Sequence, residues 1–276
     1  MKHRRMVWVF LCLLLVLAAC GEKNPVEETA ETVQATEVVN TQTEETEPQE
    51  QFLYILMYHS VDQDDALCND YTIHVSTFRE QMQWLADEGF TTILPSQLLS
   101  GEPLPEKAVL ITFDDGYADN YELAYPVLRE LDCKAVISLI TGYIGQDDDF
   151  LTWEMCREMM DSGLVEFGCH THKLHVLPGI QRLREETQEE YEARVFPDVE
   201  QSIAQIEENL GVTPVFFAYP QGIADEWAFD FIHEKFPVTV LTWSGYNNVS
   251  YGLHNLRRYN ITNETDLSEY LGIAVS

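Results

Sequence analysis

The stretch VLITFDDGYADN, residues 109–120, decides how the chain folds: an unbroken apolar run ends on two adjacent aspartates and a glycine. A short apolar run without alternation reads as a strand buried on both faces, as in a parallel sheet covered by helices. Gly116 permits a tight turn, and the pattern starts a helix near Tyr117. Asp114 and Asp115 therefore stand at the C-terminal end of a buried strand. One aspartate before a helix is a common N-cap. Two side by side repel each other unless a cation or a proton relieves them, so their meaning depends on what else the chain brings to that point.

Similar apolar runs recur at FLYILMY (52–58), KAVISLI (134–140), LVEFG (164–168), PVFFAY (214–219) and VTVLTW (238–243). Segments of helical spacing separate them. In STFREQMQWLADEG, Phe78, Met82 and Leu85 share one face and Gly89 stops the helix; in DVEQSIAQIEENLG, Val199, Ile203, Ile206 and Leu210 share one face ahead of Gly211. Buried strands alternating with amphipathic helices predict an α/β fold, a parallel sheet or barrel whose active site lies at the C-terminal strand ends. Residues 176–197, VLPGIQRLREETQEEYEARVFP, read as a charged insertion, either a partly helical flap beside the site or a solvated excursion.

A second cluster follows another strand: EFGCHTHKLHVL places His170, His172 and His175 within six residues. Imidazole is the commonest ligand for a divalent transition metal, and three histidines at a strand end are not a core pattern. Two histidines with one carboxylate leave coordination positions open for water and substrate, the catalytic rather than the structural arrangement.

Four motifs, LMYHSV (56–61), TFDDGY (112–117), HTHKLH (170–175) and FAYPQG (217–222), together resemble the polysaccharide deacetylase family, the NodB-like carbohydrate esterases, over essentially the whole chain from Phe52 onward. The resemblance implies a distorted (β/α) barrel and one divalent metal ion, zinc. Carried onto the matching positions, it makes Asp114 the general base and Asp115, His170 and His175 the metal ligands. Many members space the two histidines by four, which here would land on Leu174. The spacing of five resembles the branch that deacetylates poly-N-acetylglucosamine. His172 and Cys169 are the alternative ligands.

In that branch an N-terminal histidine is the catalytic acid, which points to His59; His254 in YGLHNLRR is the second candidate. FAYPQG lacks the arginine that orients the base in other members, and Arg257 and Arg258 are the candidates to replace it. Tyr219, followed by Pro220, matches the tyrosine whose backbone amide helps hold the oxyanion. The implied reaction releases acetate from the N-acetyl groups of an extracellular or cell-wall N-acetylglucosamine polymer. An O-acetyl ester of xylan or a wall polymer is the alternative substrate, and a catalytically inactive carbohydrate-binding protein on the same scaffold the alternative function. Trp153, Trp227, Trp243 and Tyr246 are candidates for stacking on sugar rings, and equally for the core.

The chain opens MKHRRMVWVFLCLLLVLAACGEKN, a basic start, an apolar run and small residues before Cys20, which is the pattern of a secretory signal. Leu17, Ala18, Ala19 and Cys20 resemble the bacterial lipobox. That resemblance implies loss of residues 1–19, a lipid on Cys20 and attachment to the membrane outside the cytoplasm. Residues 20–51 carry Glu, Thr, Gln and Val without an aromatic, too little apolar surface to offset ordering, and read as a disordered acidic tether to a domain at 52–276. The net charge of −31 excludes nucleic acid as a partner, since that binding needs Lys and Arg against phosphate. Cys68, Cys133, Cys156 and Cys169 specify no disulfide framework by their spacing.

Overall fold

The structure, a computed structural model, describes residues 50–272 other than Ala224, and every strand expected from the apolar runs is present in it. Residues 1–49, which include the stretch read as a signal sequence, Cys20 and most of the stretch read as a tether, lie outside the described residues. The strands are β1 (Phe52–Tyr58), β2 (Ser60–Asp62), β3 (Thr72–His74), β4 (Thr91–Thr92), β5 (Ala108–Phe113), β6 (Ala135–Leu139), β7 (Val165–Cys169), β8 (Phe216–Ala218), β9 (Val238–Val240), β10 (Asn247–Asn248) and β11 (Tyr259–Asn260). The helices are α1 (Val75–Asp87), α2 (Pro95–Leu98), α3 (Tyr125–Leu131), α4 (Trp153–Asp161), α5 (Gln188–Leu210), α6 (Glu226–Lys235) and α7 (Leu267–Leu271).

The main sheet runs β10-β1-β5-β6-β7-β8-β9, with β4 beside β5 and β11 beside β1. Its pairings are parallel except β1 with β10. The stretch leading into β11 joins the two sheet edges. On one side Leu256 donates its N–H to Thr239 O and Leu241 donates to Leu256 O; on the other, Tyr259 pairs with Leu56 of β1. The sheet thereby curls into the expected distorted barrel.

Side chains alternate across each strand, and here both sides are covered. Leu53 and Ile55 of β1 join Leu110, Val136, Phe216 and Val240 in an inner cluster, while Tyr54, Leu56 and Tyr58 face the helices. Full burial of each such side chain contributes about 1.5–3 kcal/mol, which is why the runs are apolar throughout. Outside, Phe78 of α1 packs its ring 5.2 Å from Tyr58 and 5.6 Å from Phe113.

Three local expectations change. No regular helix starts at Tyr117: a wide π-type turn at Asn120–Ala124 leads into α3 instead. Helix α5 begins at Gln188, inside the segment read as an insertion, because Thr187 and Glu190 form a reciprocal capping box there. Pro197 looks like a helix start but lies within α5, where burial of Tyr191 and Val195 ahead of it offsets the lost hydrogen bond. Finally Gln51, placed in the tether by composition, accepts from Leu104 N–H at 2.8 Å and from Val249 N–H through its carbonyl, so it belongs to the folded part.

Candidate active site and metal centre

Strands β1 and β5 pair from Leu53 with Ala108 to Tyr58 with Phe113, so they end level and bring His59 and Asp114 to the same rim. Continued as a strand, the chain would point Asp114 and Asp115 to opposite faces. Instead Gly116 N–H donates back to Asp114 O at 3.0 Å, and Asp115 between them has φ 76°. This γ-type turn is rare and strained, of order 1–3 kcal/mol for a non-glycine residue. It aims both carboxylates into one pocket. Gly116 follows with φ 82°, where a Cβ would lie 2.8 Å from Leu139 Cδ2. Left-handed residues also follow β7 and β8, Thr171 (φ 71°) after His170 and Gln221 (φ 58°) in FAYPQG. Strain thus collects at the strand ends that form the site.

Asp115 Oδ1 lies 3.1 Å from His175 Nε2 and 3.5 Å from His170 Nε2, and the three ligand atoms sit within 4.8 Å of one another. Both are ion-pair approaches, and Asp115 Oδ1 is buried without a hydrogen-bond partner among the described residues. An orphaned carboxylate oxygen is costly, and a cation removes the cost. His170 presents its Nδ1 to Ala218 O at 2.7 Å; a proton there leaves the Nε2 lone pair facing Asp115. Burial lowers the His170 imidazole pKa, which favours the neutral form a ligand needs. Burial alone would raise the Asp115 carboxyl, but His175 and His170 hold it below its usual value. Gln221 Nε2 donates to His175 O at 3.0 Å and steadies the third ligand. The donor set fits a divalent ion with positions open to the pocket.

Asp114 does a different job. Arg258, fully buried, donates Nη1 to its Oδ1 at 2.8 Å and Nη2 to its Oδ2 at 2.7 Å, a two-pronged fork. The guanidinium is itself fixed by Leu241 O at 2.8 Å and Thr112 Oγ1 at 3.1 Å. Burial would raise the Asp114 carboxyl, yet Arg258, with His170 and His59, outweighs it and holds the group well below the usual carboxylate range. Of the two candidates for the arginine missing from FAYPQG, Arg258 is the one that contacts Asp114; exposed Arg257 donates to Ser244 O instead. His59 lines the same cavity, about 690 Å³, with Tyr71 edge-on at 5.1 Å. Burial lowers the His59 pKa, opposed by Asp114 and Asp115.

Other candidates are placed elsewhere. His172 pairs its Nδ1 with Thr141 Oγ1 at 3.0 Å and is outside the ligand cluster. Cys169 is buried in β7, its thiol pushed up to about 12 by burial, and is no ligand. His254 stacks on His233 with ring centroids 3.9 Å apart, in a separate hollow. The expected oxyanion donor needs correction: Tyr219 spends its N–H on Val240 O at 3.1 Å in the β8–β9 ladder, its ring is buried, and Pro220 has no N–H to give. Trp153 and Trp227 pack against the core, whereas Trp243 is 61% exposed. Asp70 and Tyr71 also line the cavity, and no sequence pattern singled them out; Tyr117, the last residue of TFDDGY, lines it as well.

Comparison with known proteins agrees with this geometry. The polysaccharide deacetylase family matches residues 101–234. Poly-beta-1,6-N-acetyl-D-glucosamine N-deacetylase of Escherichia coli (strain K12) is 28% identical over 253 residues, which cover 78% of this chain. The chain spans only 37% of that relative's length. The enzyme of the same name from Staphylococcus aureus (strain N315) is 25% identical over 248 residues, 82% of this chain and 81% of its own. A de-N-acetylase structure from Aggregatibacter actinomycetemcomitans matches with a TM-score of 0.71 at 26% identity, covering 79% of this chain and 98% of that one. Shared fold, matched segment and the buried Asp-His-His cluster lead to one conclusion: residues 101–234 are a polysaccharide deacetylase segment, and the described chain around them has the fold of a solved de-N-acetylase.

Proposed function

We propose that this protein is a metal-dependent hydrolase that removes N-acetyl groups from an N-acetylglucosamine polymer of the poly-β-1,6 type and releases acetate. One observation carries the reading. Two adjacent aspartates in one pocket have different partners, Asp115 facing two histidine Nε2 atoms and Asp114 forked by Arg258. A ligand cannot also serve freely as a base, so chemistry that needs both uses two carboxylates.

Asp115, His170 and His175 would hold a divalent ion, zinc on the nature of the donor set, which would supply Lewis acidity for the acetyl carbonyl and a lowered pKa for water in the pocket. Asp114 takes the proton from the attacking water. Arg258 keeps both Asp114 oxygens in place and the carboxyl ionised before the reaction. His59, as imidazolium, gives its proton to the departing nitrogen, because an amide nitrogen leaves only when protonated. The products are acetate and a free amine on the sugar.

The two relatives named for poly-beta-1,6-N-acetyl-D-glucosamine support the choice of polymer. The Leu17–Cys20 pattern supports a lipid-anchored protein outside the cytoplasm, where such a polymer is reached. The test is acetate release by the purified protein, stripped and then refilled with divalent metal, from β-1,6-linked N-acetylglucosamine oligomers, peptidoglycan and acetylated xylan in parallel. Metal-dependent acetate from the first is expected; acetate from xylan alone would make the protein an esterase.

A further inference from the structure

The loop that carries base and metal ligand continues to Asp119 and Asn120, which take no part in the mechanism above. Both are turned toward the end of β1. Asn120 is buried and donates Nδ2 to His59 O at 2.8 Å and to Asp119 Oδ1 at 2.8 Å. Asp119 Oδ2 accepts the Ser60 hydroxyl at 2.6 Å. At the other end of the loop, Asp114 N–H donates to Tyr58 O at 3.0 Å. Three consecutive residues, Tyr58, His59 and Ser60, are thus each held by residues 114–120.

His59 needs such a grip. Strand β1 ends at Tyr58, in the main sheet, and β2 starts at Ser60, in the separate two-stranded sheet, so His59 falls between the two ladders. Asn120 also keeps its own Oδ1 buried without a partner among the described residues. An apolar side chain would fill that place without leaving an unsatisfied oxygen, so the asparagine is explained by the donor it supplies.

We propose that Asp119 and Asn120 are positioning residues for His59, holding the backbone of the acid in the same frame as Asp114 and Asp115. The proposal rests on the reading of His59 as the catalytic acid. Acid and base then keep one spacing because a single loop carries the base and grips the acid.

A double-mutant cycle on the full-length, metal-loaded protein tests it, with kcat, KM and metal content measured on the N-acetylglucosamine oligomer. Asn120→Ala is expected to lower kcat about 10- to 100-fold, the scale of a misplaced catalytic group. KM and metal content should stay within about twofold, and the change should cost nothing further in a His59→Ala background. Ser60→Ala, a milder change that leaves the buried amide in place, should move kcat the same way by less. Equal losses from Asn120→Ala in both backgrounds, or loss of metal, would make the role structural and overturn the proposal. Normal kcat in Asn120→Ala and Ser60→Ala while His59→Ala is inactive would also overturn it and leave the acid assignment standing. An active His59→Ala would instead remove the acid assignment itself.

Discussion

Two hollows open at opposite ends of β1. One, about 690 Å³, borders Met57 and His59; the other, about 410 Å³, borders Asn247 and Asn248, which pair with Leu53 and Phe52. Both hold histidine, aromatic and polar side chains. In the second, the polar groups answer each other: Asn247 donates to Arg257 O and accepts from Arg257 N–H, and Asn248 accepts from Ser250 N–H. His254 lies flat on His233 there. In the first, Asp115 Oδ1 has no hydrogen-bond partner, two histidine nitrogens converge on it, and the turn beneath it is strained. A working site differs from a surface recess in what it leaves unsatisfied, rather than in size or in which residue types line it.

Substitutions can break this contrast. The largest effect is expected from Asp114→Asn, which should lower kcat for acetate release by about 10²–10⁴ while metal content by elemental analysis stays at the wild-type level. His175→Ala should lose activity and bound metal together. A metal-replete His175→Ala would move the site away from this end of the barrel.

Next comes Arg258→Met, which leaves Asp114 buried and unpaired and should cost about 3–5 kcal/mol in denaturant unfolding. Its pH dependence sharpens the point. In the wild type the folded Asp114 pKa is held below its ordinary 3.8, so the stabilisation is complete above that value and is lost as pH falls through the folded value. In Arg258→Met burial is opposed only by His170 and His59, so the Asp114 pKa should rise relative to the wild type and less stability should be lost as pH falls. Unfolding curves in acid that run parallel for the two proteins would refute the assignment. The smallest effect belongs to the second hollow: His254→Ala should keep activity within about twofold and stability within about 0.5 kcal/mol.

Much of this was legible in the chain. Strands buried on both faces have to be apolar throughout, so VLITF, KAVISLI and FLYILMY announced themselves, and Phe78, Met82 and Leu85 marked the buried stripe of α1. The carboxylate pair and the spacing of His170 and His175 marked the site. Arg258 could not be separated from Arg257 by sequence, since only the pairing of residues 256–260 with both β9 and β1 decides which of the two points inward. Tyr219 illustrates the opposite difficulty: a motif names a residue, but the neighbouring strand decides whether its amide is free. Pro197 hid the start of α5 because its ordinary meaning, a helix beginning, was overridden by burial upstream.

The fork between Asp114 and Arg258 joins residues 144 positions apart. At about 5–20 residues per second, a ribosome adds that length over a time on the order of ten seconds. A growing chain therefore carries its aspartate pair well before the guanidinium that makes burial of Asp114 tolerable exists. The stretch that carries Arg258 is also the one that pairs with β9 and with β1, so the fork on Asp114 and the joining of those two strands draw on the same late-made residues.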